Sequence, residues 1–313
     1  MGGSSRRDFM KRAALGAAGL ALADLGLGGA RAARSGLPVK LVRVQGPGAA
    51  ADVAGAVKQA LAPLGGMAAF VKKGHKVLIK PNMGFPTLPE VHATTDPRVV
   101  AAVVREALEA GAARVMVMDN PLRSPEACLK QNGIRAALRG LDAHVLLPMD
   151  EKFYVRVDVP RGKALTRTRV LREALEADVH VAVPVAKSHS AAGFTGAVKG
   201  MMGLIHDRES LHSRMDLNQA IADLNTVLRA QLVVMDGLVV MASGGPSGPG
   251  KLEHTQAVIA GTDIVAVDAA GVGLAPLYER RIKPRQVKHL KLSQELELGL
   301  LELPEEQVRL ISA

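Results

Sequence analysis

The 313-residue chain holds one cysteine, no tryptophan, two tyrosines and five phenylalanines. A single thiol, Cys128, excludes an intramolecular disulfide and an iron–sulfur cluster ligated by this chain alone. It reads as a small buried apolar residue of a short helix. With so few aromatic rings, stacking platforms for nucleobases are scarce, and nucleic acid is not an expected partner. No segment after the N-terminal region approaches the about 20 apolar residues of a membrane-spanning helix, so no transmembrane segment is expected in the processed chain.

What is present begins at the N-terminus. Ser5-Arg6-Arg7-Asp8-Phe9-Met10-Lys11 has the twin-arginine pattern, a weakly apolar run follows from residue 13 to 22, and Ala30-Arg31-Ala32 offers small residues at signal-peptidase spacing. Asp24 and several glycines make this stretch a poor helix and a poor membrane span. Residues 1–32 are therefore predicted to be an export signal read by the twin-arginine (Tat) translocase, which moves folded proteins, and the product is expected outside the cytoplasmic membrane, in a periplasm-like compartment. Removing that segment, with its five basic and two acidic residues, lowers the net charge from +10 to about +7. The remaining chain stays basic, which favours a small anionic ligand or an anionic membrane surface.

Residues 33–313 read as one α/β domain. Short β-branched runs at 39–44, 76–80, 114–118, 143–147, 179–183, 231–235 and 256–260 alternate with helical patterns. Asp96-Pro97 and Ser124-Pro125 are helix starts, and Gly111 is a helix stop. Helices are expected at 50–64, 168–176, 216–229 and from 263, with a charged helical region at the C-terminus. Strands separated by helices predict a doubly wound, mostly parallel sheet with helices on both faces. Residues 148–167 are the place for a small insertion of extended chain.

In such sheets ligands bind outside the strand carboxyl ends. Four strands are predicted to end in polar residues: Lys80-Pro81-Asn82, Asp119-Asn120, Lys187-Ser188-His189 and Asp236-Gly237. Asn, Asp, Pro and Gly suit any turn, but Lys and His add little to one, so a cationic cleft for an anion is the sharper reading. The segment after His189 runs Gly193-Phe194-Thr195-Gly196-Ala197-Val198-Lys199-Gly200, with His206, Asp207 and His212 beyond. Its glycines could bring backbone N–H groups to an anion and Lys199 could add a charge. Lys80, Asn82, Asp119, Lys187, Gly193, Thr195, Gly196 and Asp236 are the candidate anion- or cofactor-binding residues. His189, Lys199 and His212 are the candidate catalytic residues, and His189, His206 and His212 the candidate metal ligands. Residues 245–251 imitate P-loop spacing, but Leu252 stands where a magnesium-binding hydroxyl is needed and two prolines remove amide donors. They are expected to form a surface loop or lid.

Taken together, Lys80-Pro81-Asn82, Thr95-Asp96-Pro97, Lys187-x-His189, Thr195-Gly196-Ala197-Val198-Lys199, Asp236-Gly237, Gly244-Gly245-Pro246 and residues 260–268 resemble the domain of unknown function 362 family over about residues 40–290. Many members carry an appended ferredoxin-like module. This chain does not, so a redox role is not carried over, and Gly200 stands where the family usually has Asn. A fainter similarity, in His189, the run from Gly193 to Lys199 and His212, is to the lactate racemase family, which holds a nickel-pincer nucleotide. That resemblance implies a cleft for an anionic organic substrate or for a metal or nucleotide-like cofactor. The expectation is a cofactor- or anion-dependent enzyme with isomerase- or hydrolase-like acid/base chemistry. Its alternatives are an anion carrier without turnover and a redox partner using a cluster on another chain.

Overall fold

The computed structural model describes residues 38–313. The export signal assigned to residues 1–32 lies outside the described residues. The strands are β1 (Leu41–Gln45), β2 (Lys76–Pro81), β3 (Arg114–Met118), β4 (Ala143–Leu146), β5 (Tyr154–Asp158), β6 (Arg167–Leu171), β7 (Val179–Val183), β8 (Val185–His189), β9 (Gly193–Thr195), β10 (Leu232–Met241), β11 (Leu252–Glu253), β12 (Ala257–Gly261) and β13 (Val308–Ser312). All but β5 and β6 join one sheet, with the main order β13-β1-β12-β10-β7-β2-β3-β4. From β10 to β4 every neighbouring pair is parallel, whereas β12 is antiparallel to both β1 and β10. The fold is α/β with a mostly parallel sheet.

Alternation along the strands divides the core in two. Val77 and Ile79, Val115 and Val117, and Val179, Val181 and Val183 pack with helices Val53–Leu61 and Pro97–Glu109. Leu78, Met116, Ala182, Val233 and Met235 face helices Leu217–Leu224, Ile264–Val272 and Lys288–Glu295. Because successive strand residues point to opposite faces, each β-branched run serves both layers, which is why it reads as continuously apolar. Helix starts follow the capping rules: Asp96 accepts from Arg98 N ahead of Pro97, Ser124 accepts from Ala127 N, and Asp216 and Asp263 cap their helices. Cys128 is fully buried within its short helix, Pro125–Gln131, and burial pushes its thiol up to about 11.

Four local expectations are corrected. The helix expected at 50–64 is interrupted at Asp52, whose carboxylate accepts from Gly55 N and starts a second helix. Residues 167–171 form β6 instead of helix, because their alternating side chains pair with β5 in a separate two-stranded sheet. Asp236-Gly237 is no strand exit. β10 continues through it to Met241, held there by antiparallel pairing of Asp236 with Val258 and of Gly237 with Ala257. The C-terminal region ends in β13, parallel to β1, as well as a helix. Among the described residues no helix is long and apolar enough to cross a membrane.

Candidate functional site

The carboxyl ends of β2 and β3 and the β8–β9 hairpin open onto a cleft of about 610 Å³. Five basic side chains line it, Lys80, Arg123, Lys187, Lys199 and Arg208, against two acidic ones, Asp119 and Glu209. Asn82, Thr195, His189 and His212 line it too. The structure therefore brings together eight of the residues singled out from the sequence: Lys80, Asn82, Asp119, Lys187, His189, Thr195, Lys199 and His212.

The wall at β2 and β3 is held by a buried ion pair. Lys80, near the end of β2, lies 3.0 Å from Asp119 Oδ1 and donates to Pro81 O at 2.8 Å. Asp119, just past β3, accepts the Met83 amide at 2.7 Å. Both side chains are buried, and burial lowers the Lys80 proton affinity although Asp119 raises it. Gly203 makes this approach possible: a Cβ there would fall onto Asp119 Oδ1 and stand 2.6 Å from Lys80 Cε. Asn120 joins this wall to the next, its side-chain Nδ2 donating to Ile205 O at 2.7 Å and its backbone N–H to Gly203 O at 2.8 Å.

Lys187 is not in an exit loop. Pro184 separates β7 from β8, and Lys187 sits within β8, which stays paired with β10. Its ammonium is fully enclosed: it donates to Ala93 O and to Pro246 O, the latter at 2.7 Å, and stands 4.8 Å from the centre of the Phe85 ring. Burial drives its proton affinity well down. The Pro246 contact also shows what the false P-loop does. Gly245 N donates to Ser188 Oγ, so residues 245–247 close over β8 as a wall of the cleft.

His189 and His212 stack with ring centres 6.2 Å apart and planes 29° apart. His189 Nδ1 accepts from the amides of Ala191 and Ala192, each at 3.1 Å. That nitrogen is thus unprotonated, and the proton of the neutral ring is on Nε2. His212 Nδ1 lies 3.0 Å from Arg208 O. A carbonyl can only accept, so this Nδ1 carries the proton and Nε2 holds the lone pair. Burial, followed by the charges of Lys199 and His212, pushes His189 down to about 2. Burial also lowers His212, with the carbonyl of Arg208 opposing it.

Lys199 differs from the other two lysines. It is half-buried, lines the cleft and makes no hydrogen bond or ion pair among the described residues. Burial, with Arg208 and Lys80 adding to it, pushes its ammonium down to about 7. The backbone beneath it is fixed from behind. Asp268, fully buried in the helix Ile264–Val272, accepts from Val198 N at 2.9 Å and Ala197 N at 2.6 Å. Asn225 Nδ2 donates to Val198 O at 2.8 Å. Burial pushes Asp268 up to about 7. Thr195 Oγ1, buried beside Lys187 in the β8–β9 pairing, has no partner among the described residues.

Several expected roles change. Gly196 makes room for the Asp268 carboxylate, which a Cβ there would strike, and that carboxylate has taken the amides at 197 and 198, so these two are not free for a ligand. Gly193, at φ +76°, turns the β8–β9 hairpin opposite His189 and is not in the cleft lining. Asp236 is not in the lining either: its carboxylate accepts the amides of Asp96 at 2.8 Å and Leu238 at 3.1 Å, and burial pushes it up to about 7. His206 turns away, its ring edge-on to Tyr154 at 5.1 Å, so the three histidines do not converge. Among the described residues no three His, Cys, Asp or Glu side chains are grouped to hold a metal, and His189 offers only an N–H. The residues do not fit the metal expectation. A phosphorylated cofactor would find room and cations here, but the ring of Phe85, the one Phe, Tyr or Trp in the lining, already faces Lys187.

Sequence reasoning missed Arg123, Arg208 and Phe85 as lining, Gly203 as the spacer and His289 as a buried neighbour. Arg208 follows His206-Asp207 directly, and its position in a charged stretch was the signal available. His289 has no such signal. It is one histidine in a charged helix, yet it is fully buried with both ring nitrogens unpartnered among the described residues.

The chain is 27% identical to a thylakoid-associated protein of Synechocystis sp. over 237 residues, 74% of this chain and 72% of the relative. The lactate racemase apoprotein from Thermoanaerobacterium thermosaccharolyticum aligns at a TM-score of 0.47 and 15% identity over 75% of this chain, and the chain spans 57% of the racemase's length. Residues 77–273, which carry β2, β3, the β8–β9 hairpin, the glycine-rich segment and Asp268, match the sequence model of "Domain of unknown function (DUF362)", and the chain belongs to that family.

Proposed function

We propose that the protein is an exported acid/base enzyme that isomerises or hydrolyses a small organic anion. The opposed tautomers of His189 and His212 carry this reading. One ring offers a fixed N–H and the other a fixed lone pair, so a proton can be taken at His212 Nε2 while His189 Nε2–H supports negative charge developing on a substrate oxygen. A neutral imidazole that does not ionise is suited to that electrophilic role. Arg208, Arg123 and Lys199 supply positive charge for the substrate's anionic group, and Asn82 and Thr195 supply polar contacts.

The export part of the proposal rests on Arg6-Arg7 and the residues around them. A thylakoid-associated relative accords with work at a membrane system. Proton exchange tests the chemistry. Panels of 2-hydroxy acids, 2-oxo acids and phosphomonoesters in deuterated water, followed by NMR, should reveal one class that exchanges a C–H or is cleaved. His212→Gln should lower that rate by about 100-fold or more. Stoichiometric anion binding with no exchange and no cleavage would make the protein a carrier instead.

A further inference from the structure

The three lysines of the cleft are held in three different ways. Lys80 has Asp119 and a carbonyl, and Lys187 has two carbonyls and a ring face. Lys199 has no acceptor among the described residues, lines the same cleft and faces the cationic side chains of Arg208 and Lys80, opposed by the carboxylate of Asp119, which is held on Lys80. An ammonium without an acceptor, partly desolvated and beside like charges, is poorly placed. A neutral amine is well placed. Its carrier helix, Ala197–Gly200, is clamped by Asp268 on two amides and by Asn225 on the Val198 carbonyl, so the amine is presented from a fixed backbone.

We infer that Lys199 is a nucleophile that condenses with the carbonyl carbon of an anionic oxo compound, a 2-oxo acid or an anionic aldehyde, to form an imine. This deepens the reading of the cleft as an anion site and rests on it. The nitrogen lone pair attacks the carbonyl carbon, the C=O π pair moves onto oxygen, and that oxygen takes a proton to give a carbinolamine. His189 Nε2–H is the hydrogen-bond donor for the oxyanion, and His212 Nε2 accepts the proton that nitrogen loses. With the first proton on oxygen taken from solvent, His212 passes the proton it accepted to the hydroxyl, which departs as water as the nitrogen lone pair closes the C=N bond of a protonated imine. Nothing is oxidised or reduced, and water is the only by-product. A cationic lining selects carbonyl compounds that carry a carboxylate or phosphate, and the cleft of about 610 Å³ admits more than the smallest of them.

Trapping tests it. The purified full chain is incubated with glyoxylate or pyruvate and sodium cyanoborohydride, and adducts are located by intact mass and peptide mapping. A single carboxyalkyl group on Lys199 is expected, formed at a rate that levels off above pH of about 7, while adducts on exposed lysines keep rising with pH. Lys199→Arg should abolish that adduct with its circular dichroism unchanged, and Lys40→Arg should leave it. Labelling of Lys199 no faster than that of the exposed lysines at neutral pH, or an adduct pattern unchanged in Lys199→Arg, overturns the inference. Saturation-transfer NMR of the same oxo acids separates the two levels. Binding without trapping removes the imine and keeps the anion site, and absence of both removes the cleft reading as well.

Discussion

The two walls of the cleft are built by opposite rules. On the β2–β3 side the buried charges hold each other: Lys80 is held by Asp119 and a carbonyl, Asp119 by Lys80 and the Met83 amide. On the side running from His189 to His212, Lys199, Thr195 Oγ1 and His212 Nε2 have no partner among the described residues, and rigidity is supplied from behind by Asp268 and Asn225. The first wall holds itself together with the same groups it shows to the cleft. The second separates holding from showing, which leaves its exposed groups available for chemistry.

The largest effect should come from breaking the self-held wall. Asp119→Ala strands a buried Lys80 ammonium and the Met83 amide, and urea unfolding should show a loss of about 3–5 kcal/mol. A loss as small as that of an exposed ion pair, below about 1 kcal/mol, would mean that the pair is wet and that the two walls do not differ.

Lys199→Met tests the other wall and at pH 7 should cost no more than about 0.5 kcal/mol, since no bond is removed. Its pH dependence sharpens the contrast. The folded chain sheds the Lys199 proton at about 7, the unfolded chain near the ordinary 10.5. Between those values the unfolded state holds the extra proton, so the wild type gains stability as pH rises across the window, and below it the contribution is flat. The variant lacks this term. The stability difference should therefore move in favour of the wild type from pH 7 towards 10.5, and a difference independent of pH would show an ordinary solvated lysine.

The contrast between the walls also explains what was legible in the sequence. The parallel half of the sheet was read because Val77–Ile79 and Val115–Val117 lie in unbroken β-branched runs whose helices carry their own signals at Asp96-Pro97 and Ser124-Pro125. The antiparallel part was not. Asp236-Gly237 looks like a turn, and only pairing with β12, distant in sequence, keeps it extended. The same holds in the site. Lys80, Lys187, His189 and Lys199 were found because such residues are unusual after strands. The anchoring of Asp268 on the amides of 197 and 198 is a tertiary contact across about 70 residues, so those amides read as free for a ligand when they were already taken. Likewise His206 and His212 are equivalent in spacing arguments, and only the Tyr154 ring draws one of them away.

The smallest effect is the most discriminating, because it costs no stability and reads the second wall directly. Nitrogen-15 NMR of the imidazoles should report His189 as the Nε2–H tautomer and His212 as the Nδ1–H tautomer at neutral pH. On acidification His212 should take its proton below the ordinary histidine value, and His189 should remain neutral until about pH 2 or until the fold is lost. Burial is the main reason, with the charges of Lys199 and His212 adding to it, and a proton on His189 Nδ1 would also face the amides of Ala191 and Ala192, two donors with no acceptor between them. If both rings instead titrate near the ordinary value of 6.5, the amide contacts do not persist in solution. The donor and acceptor would then be interchangeable, and the second wall would have no more fixed polarity than a solvated surface.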